Sequence, residues 1–253
     1  AARPAAQRPE GLKIMPATIE LQNKMIERAR AMVPVLLDRA RDAEQNRAVA
    51  RETFEEFTEE GFFRIHQPER YGGFGWDIGM MVRIGAELGQ GCGSSCWIFS
   101  NLAVQNWILG MNNPEAQEDV WGENPAALVA SSFPAKGGKV ERAEGGLIAN
   151  GLWSFASGVD FADWNNMQVF VPPENGEGPP EHRFALVPKS DYEIVDDWFS
   201  PGLAGTGSRS IRLDNVFIPE HRTIPSTKLM GGPSPGSEIN PGAMYQVPPL
   251  TLG

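Results

Sequence analysis

The chain is poor in the residues from which metal and thiol sites are built, with two cysteines and three histidines among 253 residues. Cys92 and Cys96 lie four apart in Gly91-Cys-Gly-Ser-Ser-Cys96, but a metal site would need more Cys or His nearby, and the histidines are scattered. Both cysteines read as small buried residues at a helix start, with no metal and no redox role. Positive charge is also short. The 22 Lys and Arg against 32 Asp and Glu leave a net charge of −10, which argues against nucleic acid and anionic membranes as partners. No apolar run approaches the ~18 residues of a membrane span, and the start lacks a signal-peptide core. A cytoplasmic protein is the expectation. No internal repeat is visible.

What is present is ordinary apolar content and enough length for one large domain or two small ones. Residues 1–16 are Ala/Arg/Pro/Gln-rich and read as a flexible N-terminus. Leu21, Met25, Ala29, Met32 and Leu36 then recur at helical spacing, with Pro34 expected to kink or split that helix. Further helices are predicted from Ala48 to Glu60, stopped by Gly61, from Ile78 to Gly89, from Ser94 to Met111, and from Pro114 to near Trp121. Past Pro125 the pattern changes to short β-rich runs separated by Gly, Pro and Asn/Asp clusters. These are Leu128–Phe133, Leu147–Phe155, Met167–Val171, Phe184–Val187, Tyr192–Trp198 and Ser210–Ile218, which predict an antiparallel sandwich or barrel. The fold class is therefore α+β, with a helical domain over 17–124 and a β-domain over 125–225. The Gly/Pro/Ser-rich stretch 226–253 reads as a linker.

The most informative segment is Gly151-Leu-Trp-Ser-Phe-Ala-Ser-Gly-Val-Asp-Phe-Ala-Asp-Trp164. Small residues sit between bulky aromatics, a composition suited to a strand end where a flat ring is bracketed by aromatics and touched by one hydroxyl. Taken alone, the segment is better explained as an aromatic core strand ending in a Ser-Gly turn, and it is the flanking sequence that shifts the balance. Two GxG stretches, Gly89–Gly93 and Gly205–Gly207, do not lie between a strand and a following helix, as a dinucleotide fingerprint requires, and read as turns.

The segment resembles the flavin-contacting strand of the two-component aromatic hydroxylases built on the acyl-CoA dehydrogenase fold. Three further stretches match in order: Gly61-Phe-Phe-Arg-Ile-His-Gln-Pro-Glu-Arg-Tyr-Gly-Gly73; Ala130-Ser-Ser-Phe-Pro134 with Gly145-Gly146; and Val187–Trp198 with Asn215–Arg222. Four ordered blocks over roughly 160 residues are far more specific than one short motif. The resemblance implies an oxygenase component that hydroxylates a small aromatic or heteroaromatic substrate with O2 and reduced flavin (FMN or FAD) from a separate reductase. It also implies a C-terminal four-helix bundle and a homotetramer, and this sequence does not contain the bundle.

By that resemblance Ser157 supplies the catalytic hydroxyl beside the flavin ring. Ser132, Phe155 and Ala156 join it in holding the cofactor, and Trp153 is left to fill the barrel. Ser131 falls on the substrate side. The helix Trp97–Trp107 aligns without gaps to one carrying a histidine where Gln105 stands, and Phe161 replaces another frequent histidine. Glutamine takes no proton near neutral pH. These two positions therefore imply a more apolar substrate pocket than a phenol site, and the loop Gly205–Arg209 is expected near the cofactor. Two other readings compete. An acyl-CoA dehydrogenase usually shows Thr-Glu-Pro-x-Ala-Gly-Ser-Asp, where this chain has Ser132-Phe-Pro-Ala-Lys-Gly-Gly-Lys139. A non-catalytic fragment or binding module is the third reading.

Overall fold

A computed structural model describes residues 16–134 and 137–249, the side chains of Pro16 and Ala17 excepted. All but the last residue of the expected flexible N-terminus, and the final four residues of the expected linker, lie outside the described residues. Five helices come first: α1 (Pro16–Asn46), α2 (Arg51–Glu59), α3 (Ile78–Gly91), α4 (Gly93–Met111) and α5 (Pro114–Trp121). Eight strands follow: β1 (Val129–Pro134), β2 (Lys139–Ala143), β3 (Gly146–Ala156), β4 (Trp164–Val171), β5 (Glu181–Pro188), β6 (Glu193–Val195), β7 (Arg209–Pro219) and β8 (Thr223–Pro225).

Pro34 does not split α1. It sits on the exposed side of the helix, where its ring displaces no core side chain, and costs one hydrogen bond of a 31-residue helix. Inside, Met25, Ala29 and Leu36 are buried against α3, which α1 approaches so closely that a Cβ on Gly91 would lie 2.6 Å from the Leu36 Cβ. The Gly89–Gly93 stretch, expected as a turn, instead closes α3 and opens α4, with Cys92 between them. Cys92 is buried, and the Cys96 thiol donates to the Gly85 carbonyl at 3.3 Å. Burial pushes that thiol up from its ordinary value, as a structural cysteine should be.

The strands form one sheet in the order β6-β7-β3-β1-β4-β5-β8, with β2 on β3. All pairs are antiparallel except β1 with β4, which run parallel from Val129↔Trp164 to Ser132↔Met167. The β2–β3 hairpin lies between them in sequence and returns the chain, so β4 enters beside β1 in the same direction. Two strands escape the sequence pattern. β2 reads Lys-Val-Glu-Arg-Ala and buries only Val140, and β8 is three residues long. β6 ends at Val195, short of the expected Trp198, because Asp196 and Asp197 turn to other partners.

The helical layer meets the sheet through α4, which packs on β1. α4 is apolar on nearly every side: Ile98, Phe99, Leu102, Ala103, Trp107 and Leu109 are all buried. A helix buried all round belongs between layers. Residues 226–249 do not form a free connector. Trp107 Nε1 donates to the Met244 carbonyl at 2.9 Å, Asn240 Nδ2 to that of Gly110 at 2.7 Å, and the Tyr245 hydroxyl to that of His66 at 3.1 Å.

The α1–α3 contact yields a paired test. Gly91→Ala should destabilise by about 1–3 kcal/mol, because the Leu36 Cβ and the Val33 carbonyl, 2.8 Å away, are backbone or rigid atoms. Gly89→Ala, whose Cβ would meet Cys96 at an ordinary 3.6 Å, should be neutral or stabilise by up to about 1 kcal/mol. Urea denaturation of both variants reads the difference.

Candidate functional site

One stripe of α4 forms the floor of a cavity of about 740 Å³. Trp97, Ser100, Asn101, Val104, Gln105 and Ile108 recur at three and four residues and all line it. The remaining sides come from the ends of β1 (Ser131, Phe133) and β3 (Phe155), from Gln168 and Phe184, and from the 198–208 loop. Pro249 of the C-terminal segment also reaches it. Trp97, Phe133, Phe155 and Leu203 are each about half exposed, so the cavity presents open aromatic and aliphatic faces. No Asp, Glu, His, Lys or Arg lines it among the described residues.

Phe155 takes φ +63°, the left-handed region that a bulky residue rarely adopts, which costs on the order of 1–3 kcal/mol. That geometry ends β3 in a tight turn closed by the Ser157 amide on the Phe155 carbonyl at 2.9 Å. The ring stands out toward the cavity, edge-on to Trp198 at 6.0 Å. Ser157 is buried. Its Oγ accepts from Trp97 Nε1 at 2.9 Å and lies 2.7 Å from Ser208 Oγ. Trp153, one turn of pleat away, is buried in the core with its Nε1 on the Gln168 carbonyl.

The 198–208 loop is held from outside the cavity by charge. The Glu44 carboxylate of α1 accepts from Ser94 Oγ (2.5 Å) and from the amides of Ala204 (2.9 Å) and Gly205 (3.2 Å). Burial alone would raise the Glu44 carboxyl, but these three hydrogen bonds outweigh it and hold the group below its ordinary value. Nearby, Arg47 grips Asp196 through two bonds of 2.7 and 2.8 Å, and Arg209 joins the same carboxylate at 3.1 Å. Hydrogen bonds from both guanidiniums lower Asp196 to about 2. Arg209 also pairs with Asp160, whose carboxyl burial nonetheless pushes up.

The residues singled out from sequence fall into two groups. Ser157, Phe155, Gln105 and Ser131 all line the cavity. Gln105 is 5% exposed, its Oε1 accepts from Asn166 Nδ2 at 3.0 Å, and its own amide nitrogen has no partner among the described residues. Ser132, Ala156 and Phe161 do not line it. Ser132 alternates to the opposite face of β1, where its Oγ donates to Asn165 Oδ1 at 2.7 Å. Ala156 is fully buried in the β3–β7 ladder opposite Arg209. Phe161, expected at the substrate, lies past the Ser-Gly turn and stacks on Phe54 of α2 at 4.3 Å. Sequence reading missed Trp97, Trp198 and Leu203. Trp97 was within reach, since it heads the same helical stripe as Gln105.

The walls fit a flat ring. Aromatic and aliphatic faces surround the space, hydroxyls lie along one edge, and the buried Asn101 Oδ1 has no partner. The lining, among the described residues, offers no cation for a phosphate tail, so the fit shown is to the ring alone. Residues 20–123 match the family described as acyl-CoA dehydrogenase, N-terminal domain. The chain is 35% identical over 225 residues to the flavin-dependent monooxygenase oxygenase subunit HsaA of Rhodococcus jostii (strain RHA1), covering 88% of this chain and 58% of that protein. It is 35% identical over 238 residues to the oxygenase component of the FADH(2)-dependent resorcinol hydroxylase of Rhizobium sp. (strain MTP-10005), covering 93% and 58%. Its fold superposes on the crystal structure of 3-HSA hydroxylase from Rhodococcus sp. RHA1 with a TM-score of 0.84 at 33% identity, over 88% of this chain and 57% of that one. The chain thus spans little more than half the length of these relatives.

The charged clasp predicts how the loop responds to acid. A carboxyl held low stabilises the fold above its unfolded value of about 3.9, and that contribution is lost as pH falls toward 2 for Asp196. Amide protection of residues 196–208, taken against the intrinsic exchange rate at each pH, should therefore fall between pH 4 and 2 ahead of that of the β3–β7 ladder. Glu44→Gln should raise exchange at Ala204 and Gly205 roughly tenfold already at pH 7, since it removes the charge on which three donors converge. Exchange mass spectrometry on both proteins reads this directly.

Proposed function

We propose, from the likeness to flavin-dependent monooxygenase oxygenase components and the match to the acyl-CoA dehydrogenase N-terminal domain, that the chain is part of such an oxygenase and that its cavity seats a reduced flavin ring and an aromatic or heteroaromatic substrate for hydroxylation with O2. The observation that carries the reading is the Ser157 hydroxyl at the end of β3, set beside Phe155 and Trp97 on a cavity without an ionisable side chain. The relatives' naming as oxygenase components supports a separate reductase as the source of the flavin. A homotetramer completed by a C-terminal helical bundle and a cytoplasmic location belong to the same proposal. No helix among the described residues is long and apolar enough to cross a membrane.

Reduced flavin, when bound, supplies the electrons that activate O2. The side chains of the cavity shape the surroundings of that chemistry. Trp97, Phe133, Phe155 and Leu203 exclude water from the ring and from the substrate beside it. Ser157 offers a buried hydroxyl to the ring edge, with Ser131 on the substrate side. Gln105, its Oε1 tied to Asn166, turns an amide N–H toward the substrate and takes no proton from it. A substrate that needs no deprotonation fits this floor better than a phenol: an indole, a fused heteroaromatic or a sulfur-containing ring. Ser157 is the proposed catalytic residue and Gln105 the proposed specificity residue.

Three measurements test the reading. Ser157→Ala should weaken reduced-flavin binding by no more than about tenfold, the worth of one hydrogen bond, and raise the hydrogen peroxide released per hydroxylated product. Hydroxylation should lack the rate step near pH 6–7 that a histidine base of ordinary pKa ~6.5 imposes, and Gln105→His should introduce that step and shift preference toward phenols by roughly tenfold or more. Unchanged coupling in the first variant together with unchanged preference in the second would overturn the assignment of both residues. The third measurement concerns residues 1–253 alone, which supply only some walls of the site. They should bind reduced flavin more weakly than micromolar in an anaerobic titration, and tighter binding would refute the dependence on further walls.

A further inference from the structure

The hydroxyls beside Ser157 form a chain whose direction geometry fixes. At one end Trp97 Nε1–H can only donate, and it meets Ser157 Oγ at 2.9 Å. At the other end the Leu203 carbonyl can only accept, and Thr206 Oγ1 lies 2.8 Å from it, so the one hydroxyl proton of Thr206 is committed there. Thr206 must then accept from Ser208, whose Oγ is 2.7 Å away. Ser208, its proton used, must accept from Ser157 at 2.7 Å. Ser157 accepts from the indole, donates to Ser208, and keeps one lone pair.

All three hydroxyls are buried, at 4%, 5% and 2% exposure for Ser157, Ser208 and Thr206, and all three line the cavity. The backbone ties the same two segments, since the Gly158 amide donates to the Thr206 carbonyl at 3.1 Å. The relay therefore joins the end of β3 to the loop that Glu44 clasps.

We propose that Ser208 and Thr206 are positioning residues that fix the polarity of Ser157, so that this wall meets a bound ring with acceptors alone and selects a ring N–H over a bare ring nitrogen. The proposal rests on the flavin reading above. Reduced flavin carries an N–H on its central ring where oxidised flavin carries an acceptor nitrogen, so the relay favours the reduced form. Releasing the Ser157 proton removes that discrimination, because a free hydroxyl rotates to donate as readily as it accepts.

The test uses the natural protein and titrates it anaerobically with oxidised FMN and with dithionite-reduced FMN, taking the ratio of the two dissociation constants. The unmodified protein should prefer reduced FMN. Ser208→Ala and Thr206→Val should lower that preference roughly five- to tenfold, the worth of one hydrogen bond, and Thr206→Ser should restore it. A second readout needs no flavin. In protein labelled with ¹⁵N-tryptophan, the Trp97 indole N–H signal should move in Ser157→Ala and also in Ser208→Ala, because losing its acceptor changes Ser157 as a partner. If Ser157→Ala lowers the preference while Ser208→Ala and Thr206→Val leave it unchanged, the relay is wrong and the flavin reading stands. A preference for oxidised FMN in the unmodified protein overturns the acceptor-only wall. If neither form of FMN binds and neither form of FAD binds in the same titration, the flavin reading fails, and an indole signal unmoved in Ser208→Ala overturns the relay as well.

Discussion

Everything at the site depends on burying α4 between two layers. Its core-facing residues (Ile98, Phe99, Leu102 and Ala103) pack into one contiguous cluster with α1, α3 and the sheet, while the remaining stripe from Trp97 to Ile108 is left for the cavity. A helix packed on three sides cannot rotate without moving its neighbours. The floor is thus fixed in register, and the spacing of Trp97 and Gln105 along it is a property of the core rather than of the site. Asn106 adds a polar pin on the core side, donating to the Phe63 carbonyl at 2.7 Å.

The site separates its charges from its cavity. Glu44, Arg47, Asp196 and Arg209 hold the 198–208 loop from behind, while the lining itself is neutral. In a low-dielectric space an unpaired ion would dominate any ring bound there, so a neutral lining leaves hydroxyls and amides to set what is recognised. In a chain carrying a net charge of −10, keeping carboxylates off the cavity wall is a specific feature and not the average outcome.

The fold was legible where periodicity is strong. Four of the helices begin and end close to their predicted bounds, and the long strands β3 and β7 stand out because each holds a run of alternating burial, at Leu147 and Ala149 and at Ile211 and Leu213, before a register shift interrupts it. β2 was hidden because a Lys/Glu/Arg-rich edge strand has almost no apolar alternation, and β8 because three residues carry no period. The parallel β1–β4 pairing was illegible for another reason: partner choice is a tertiary fact. Of the residues singled out through matched segments, Ser157, Phe155 and Gln105 line the cavity. Ser132 and Phe161 face away from the cavity because strand alternation and the Ser-Gly turn decide which way each points, and a shift of one residue reverses it. The 226–249 stretch looked like a connector because Gly and Pro dominate it, yet Asn240 and Tyr245 anchor it to backbone carbonyls.

The Glu44 clasp also sets an order of assembly. It joins groups 160 residues apart in sequence, and the Arg47–Asp196 pair spans 149. Contacts of such separation come at the highest loop-closure cost and form after the local helices and hairpins are in place. The wall carrying Thr206 and Ser208 is therefore among the last parts of the molecule to arrive during folding. By the same reasoning it is among the first to leave under stress, detaching while both layers remain intact. Loss of the cavity would then precede loss of the fold, and a molecule without its cavity would keep its secondary structure.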